Sequence, residues 1–126
     1  MNAEITRFFE VLESYEHLLH AETQAIAAKD VDLVEEILAK KDQCMADILT
    51  SKENLGSDPR EDAKINTLID KVIELQQRNY SIFSSLVEDQ RNKKSGKSSN
   101  SSPNKYNKLR QTYLDKDKSR ISNLWD

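Results

Sequence analysis

Residues 65–86, INTLIDKVIELQQRNYSIFSSL, decide the fold. Within them Ile65, Leu68, Val72, Leu75, Asn79, Ile82 and Leu86 follow one another in alternating steps of three and four. At about 3.6 residues per turn, such steps return a side chain to one face of an α-helix, whereas a strand would alternate every second residue. The segment therefore reads as the body of a long helix, over about 59–92. Its one polar seam member, Asn79, has two readings. It is either a buried asparagine that fixes register or partner choice, or a solvated residue at the edge of the stripe.

Working upstream, Asp58-Pro59-Arg60-Glu61 places a capping carboxylate, a proline at the first helical position and an acid three residues after the cap, a strong helix start. Before it, Gly56 marks the end of a second helix over about 31–55, since glycine accepts positive φ at little cost. That helix carries Leu33/Val34, Ile37/Leu38, Cys44/Met45 and Ile48/Leu49. Asp30 or Asp32 can cap it, and Asp32 with Glu35 has the spacing of a capping box. A first helix over about 2–28 carries Ile5, Phe8/Phe9, Leu12, Tyr15, Leu18/Leu19 and Ile26. Many apolar positions come in adjacent pairs, which widens each stripe so that every helix touches two neighbours. Short turns near 29 and 56–58 then predict an all-α, antiparallel up-down-up three-helix bundle over residues 1–92.

Composition agrees. The chain has 126 residues with only two Gly and two Pro, little material for the tight turns of a sheet protein. The charge is unevenly divided. Residues 1–90 hold 9 Lys+Arg against 19 Asp+Glu, and residues 91–126 hold 10 against 3. An acidic body with a basic tail predicts that the tail folds back or reaches a partner. The tail's cations are interspersed with Ser, Asn and Asp, unlike a dense nucleic-acid patch, so no nucleic-acid partner is expected. No apolar run approaches the ~20 residues of a membrane span, and the N-terminus lacks a secretory pattern, which predicts a cytoplasmic protein without membrane insertion.

Residues 93–105 contain no apolar residue and are rich in Ser, the composition of a flexible linker. Beyond it Tyr106, Leu109, Tyr113, Leu114, Ile121, Leu124 and Trp125 return at roughly helical spacing, interrupted by Asp115-Lys116-Asp117-Lys118. Residues 106–126 read as a tethered C-terminal amphipathic segment. Its aromatic and leucine residues either dock on the chain's own bundle or grip a protein partner, since Tyr and Trp are enriched in binding hot spots. A docked tail would act as a lid that a partner displaces.

Catalytic and metal chemistry find no support. No glycine-rich phosphate loop or dinucleotide fingerprint is present. His17 and His20 lack the Glu-x-x-His pairs of a carboxylate-bridged metal bundle and read as surface residues. Cys44, the one cysteine, reads as a small core hydrophobe, because no histidine in its segment activates it. The chain is expected to be a non-enzyme without cofactor or metal.

The run His20-Ala21-Glu22-Thr23-Gln24-Ala25-Ile26, then Asp30, Leu33, Ile37-Leu38, Lys41 and, after Met45, Ile48-Leu49 resembles the FlgN family of flagellar export chaperones. The related FliT chaperones share the general layout. Asn79 in Arg78-Asn79-Tyr80 could match an asparagine of the family's third helix, without the Asn-Gly often found nearby. Tyr113-Leu114-Asp115 resembles the family's C-terminal tyrosine segment, without its usual glycine. The resemblance implies a cytoplasmic type III secretion chaperone that binds the C-terminal amphipathic helix of hook-filament junction proteins, or the filament cap in the FliT version, and delivers it to the export apparatus. On that basis partner binding is assigned to Tyr106, Leu109, Tyr113, Leu114, Ile121, Leu124 and Trp125. A homodimer is compatible with the same surfaces. The competing reading is a client-free structural coiled coil or self-assembling helical scaffold.

Overall fold

The computed structural model describes residues 3–93, with side chains through residue 89. Among them are three α-helices and one 3-10 turn, with no strand: α1 Ala3–Ala27, α2 Val31–Glu53, the turn Pro59–Glu61 and α3 Ala63–Lys93. The expected all-helical class is thus observed, and the expected helix boundaries shift by a few residues. Lys93, the expected first residue of a linker, is the last residue of α3. The remainder of the linker and the C-terminal segment 106–126 lie outside the described residues.

The largest shift is at the start of α3. Asp58 and Pro59 do cap a helical turn, and the Asp58 carboxylate accepts from the Arg60 N–H. Only a 3-10 turn follows, because Asp62 has extended backbone at φ −85° and ψ 122°. The Asp62 carboxylate then accepts from the N–H groups of Lys64 at 3.0 Å and Ile65 at 3.1 Å, the geometry of a second N-cap. Arg60 ties the turn to α3 by donating to Asn66 and Asp70. Asp62→Ala is expected to cost ~1 kcal/mol, as loss of an N-cap does, and more than Asp58→Ala, which removes the cap of a shorter element. Urea midpoints of the two variants check the order, and equal losses would refute it.

At the first turn the cap is Asp30, whose carboxylate accepts from the Leu33 N–H. The expected Asp32–Glu35 capping box is therefore not the cap of α2. Helix α1 ends with Lys29 at φ 59°. Lys29 N–H donates to Ile26 O and Asp30 N–H to Ala25 O, the paired bonds of a Schellman ending. Gly56 has the expected positive φ, 69°, after the end of α2.

The core forms two apolar clusters. The lower gathers Phe8, Val11, Leu12, Tyr15 and Leu19 of α1, Cys44, Met45 and Ile48 of α2, and Ile65, Leu68, Ile69, Val72 and Leu75 of α3. The upper gathers Ala25 and Ile26, then Val34, Ile37 and Leu38, then Phe83, Leu86 and Val87. Helix α1 packs along both α2 and α3, whereas the backbones of α2 and α3 hardly approach one another.

Candidate functional site

Between the two apolar clusters lies a layer of buried polar side chains drawn from all three helices. Glu22, Lys41 and Asn79 are each 0 % exposed, and Gln76 is 3 % exposed. Lys41 Nζ lies 3.2 Å from both carboxylate oxygens of Glu22, and 5.8 Å from the centroid of the Tyr15 ring, within range of a cation–π attraction. Asn79 Nδ2 donates to Glu22 Oε1 and to the Leu19 carbonyl, both at 2.8 Å. The Thr23 hydroxyl sits 2.6 Å from Asn79 Oδ1 and 3.0 Å from the Leu19 carbonyl. It also accepts from Arg78 Nη2. Tyr15 donates its hydroxyl hydrogen to Gln76 Oε1 at 3.0 Å.

Buried charges remain tolerable only when paired and hydrogen-bonded, and each ion here meets that condition. The layer decides between the two readings of Asn79: it is buried. The involvement of Glu22 and Lys41 was not anticipated from periodicity. A signal for both exists, since Glu22 continues the α1 steps 15, 19, 22, 26, and Lys41 continues the α2 steps 34, 37/38, 41, 44/45, 48. A charged residue in a seam position marks a buried partner on the facing helix.

The backbones of α2 and α3 stand apart, and side chains of both helices meet in the two clusters between them. On α2, Cys44, Lys40 and Asp47 line a shallow groove against Ser14, His17 and Leu18 of α1. At about 100° per residue, Val31, Leu38, Met45 and Leu49 fall on the other flank. On α3, Lys71 reaches Glu16 and Arg78 reaches Thr23, both on α1. The opposite flank of α3 is a second seam, Ile69, Ile73, Gln76, Tyr80, Phe83 and Val87, again in steps of three and four. On these flanks Leu38, Met45, Ile69, Phe83 and Val87 are buried, while Val31, Ile73 and Tyr80 are half-buried and Leu49 is 41 % exposed. These flanks are thus largely closed by side chains packed on the two clusters, Gln76 accepts from Tyr15 of α1 at the level of the polar layer, and Leu49 is the one large apolar residue on them that is exposed.

The histidines stay at the surface. His17 and His20 are exposed, and His20 lies 3.6 Å from Glu16. Lys71, 2.8 Å from Glu16, holds that carboxyl below its ordinary value, chiefly through their hydrogen bond, with His20 adding a smaller pull. Among the described residues no group of three His, Cys, Asp or Glu could hold a metal ion, and no helix is long and apolar enough to cross a membrane.

Cys44 is 8 % exposed, and its sulfur lies 3.5 Å from the Val11 carbonyl. Burial, with help from the Asp47 charge, pushes its thiol pKa up to about 11. A thiol is nucleophilic only as the thiolate, so native Cys44 should resist thiol-modifying reagents at pH 8 and react fully in denaturant. Mass spectrometry after a short iodoacetamide exposure checks this; rapid native labelling would refute it.

The assigned partner-binding residues Tyr106, Leu109, Tyr113, Leu114, Ile121, Leu124 and Trp125 all lie outside the described residues. No family model matches the chain, and neither a curated protein nor a solved structure matches it.

Proposed function

We propose that the chain is a cytoplasmic chaperone of flagellar type III export, which binds the C-terminal amphipathic helix of a hook-filament junction protein, prevents its premature assembly and delivers it to the export apparatus. The observation that carries this reading is the three-helix fold, in which the stretch that resembles the FlgN family, from His20 to Leu49, spans the α1–α2 turn, and the recognition proposed is helix-in-groove. An unassembled client exposes an apolar helical face that would otherwise aggregate. The chaperone covers that face while leaving the rest of the client available to the export apparatus.

The architecture proposed with it is an antiparallel up-down-up bundle with a tethered C-terminal helix. It is supported by the pairing of Val11 with Cys44 and Glu22 with Lys41, which runs α2 against α1. The pairs Glu16–Lys71, Tyr15–Gln76 and Thr23–Asn79 run α3 along α1. In this reading Tyr106, Leu109, Tyr113, Leu114, Ile121, Leu124 and Trp125 close over the client helix.

Calorimetry of the full chain with a peptide of that client helix tests the reading. The double variant Leu124→Ala/Trp125→Ala should weaken binding by at least about 30-fold, since a hot-spot anchor contributes ~2 kcal/mol or more. Its helical circular dichroism should stay unchanged. Absence of binding by the unaltered chain would refute the function, and normal binding by the double variant would refute the tail assignment.

A further inference from the structure

We infer that the Glu22 carboxylate is the joint that couples α2 to α3, so that a displacement of one helix is felt by the other although their backbones hardly approach. Three observations lead there. First, polar contacts from both helices converge on one atom of α1. Glu22 Oε1 lies 3.2 Å from Lys41 Nζ of α2 and accepts from Asn79 Nδ2 of α3 at 2.8 Å. A second route runs beside it. Lys41 Nζ lies 5.8 Å from the centroid of the Tyr15 ring, and the Tyr15 hydroxyl donates to Gln76. One α2 ammonium is thus joined to two α3 side chains through two α1 side chains.

Second, the route is buried. Glu22, Lys41 and Asn79 are each fully enclosed, so none can exchange a partner for water without opening the core around it. Apolar burial is non-directional and tolerates small rotations, whereas hydrogen bonds weaken steeply as they bend. If α2 rolls so that Lys41 leaves Glu22, the carboxylate must turn toward another donor or toward water. Asn79 then loses the acceptor geometry it has here, and the shift of α2 becomes a cost for α3. Third, the chain itself ties α2 to α3 loosely. Residues 28–30 join α1 to α2 in a short turn closed by bonds from the Lys29 and Asp30 N–H groups. Residues 54–62 form a longer connection, and Arg60 fastens its second half to Asn66 and Asp70, which belong to α3.

The coupling is reciprocal, because a free energy shared by two sites acts equally on both. Lys41 positions Asn79 as much as Asn79 positions Lys41. The inference stands apart from the identity of any client, because its test uses the chain alone. Urea unfolding of Lys41→Met, Asn79→Leu and the double variant measures the coupling. Each single change should lower the folding equilibrium constant. The double change should fall short of the product of the two by at least about three-fold. Glu22, once deprived of Lys41, has already left the geometry that Asn79 completes. Pairing Lys41→Met with Ile65→Val, at the far end of α3 from the polar layer, should give the plain product. A Lys41–Asn79 effect that equals the product within three-fold, or exceeds it, would overturn the inference, as would an equal departure in the control pair.

A second readout leaves Lys41 in place. In the unaltered chain its buried ammonium should resist acylation by acetic anhydride. Asn79→Leu, a change on α3, should speed modification of Lys41 on α2, read by peptide mass spectrometry. The acceleration should be at least about ten-fold beyond what the variant's loss of global stability accounts for. A smaller acceleration would overturn the inference even if Lys41→Met failed to fold.

Discussion

Lys41→Ala should be the most damaging single substitution in the described part of this protein, costing about 3–5 kcal/mol, the usual loss when one partner of a buried ion pair is removed. The reason is geometric. Glu22 is fully buried, and Lys41 faces both of its oxygens at 3.2 Å. Truncation leaves the carboxylate facing the core, with the Asn79 amide as a remaining donor. Domains of this size are stable by only ~5–15 kcal/mol, so the variant would approach the limit of folding. Its melting temperature should fall by more than about 12 °C, taking ~4–8 °C per kcal/mol. Replacing both charges, Glu22→Leu with Lys41→Met, should recover much of the loss, since no ion then remains buried. A deficit of ~1–3 kcal/mol should persist because Asn79 Nδ2 loses an acceptor. Thermal melts of the two variants decide the matter. A loss below 1 kcal/mol for Lys41→Ala would show that the pair is hydrated in solution.

Phe83→Ala should cost a comparable ~3–5 kcal/mol, as large-to-small substitution of a buried aromatic residue does, with a different distribution along the chain. Phe83 is 1 % exposed and belongs to the upper cluster, which is smaller than the lower and separated from it by the polar layer. Local stability follows local apolar burial. Opening the upper half hydrates Glu22 and Lys41 while the lower cluster stays intact. Amide hydrogen exchange should therefore accelerate first in residues 25–38 and 80–89, with residues 8–19 and 65–75 keeping most of their protection. Uniform loss of protection across both halves would show that the polar layer does not divide the cooperative unit.

These two substitutions also mark how much was legible in the amino-acid order. The upper cluster could be named in advance: Val34, Ile37, Leu38 and Leu86 fall on periodic stripes, and burial of such stripes is what stabilises helices of this length. Glu22 and Lys41 could not be paired in advance, because periodicity ranks apolar residues and says nothing about which charge meets which.

The two turns show the same boundary at closer range. Gly56 announces its own backbone conformation, since a residue without a Cβ adopts positive φ freely. Lys29 adopts nearly the same conformation with no such announcement, held by the bonds from its own N–H to Ile26 and from Asp30 to Ala25. Asp58-Pro59 likewise signalled a helix start, and a start occurs there. The decision to interrupt it after one 3-10 turn lies with the second carboxylate, Asp62, and with Arg60 reaching Asn66 and Asp70.

From the residues alone came the helical class, the number of helices in the described part, and the membership of the main α3 seam, because these depend on short-range spacing that a single chain displays. The tertiary structure decided that Asn79 is buried, that Glu22 and Lys41 neutralise each other, and that the backbones of α2 and α3 stand further from one another than from α1. Each depends on how three helices are rotated and spaced about α1. That rotation is set by the joint packing of side chains far apart in the sequence, which no local pattern encodes.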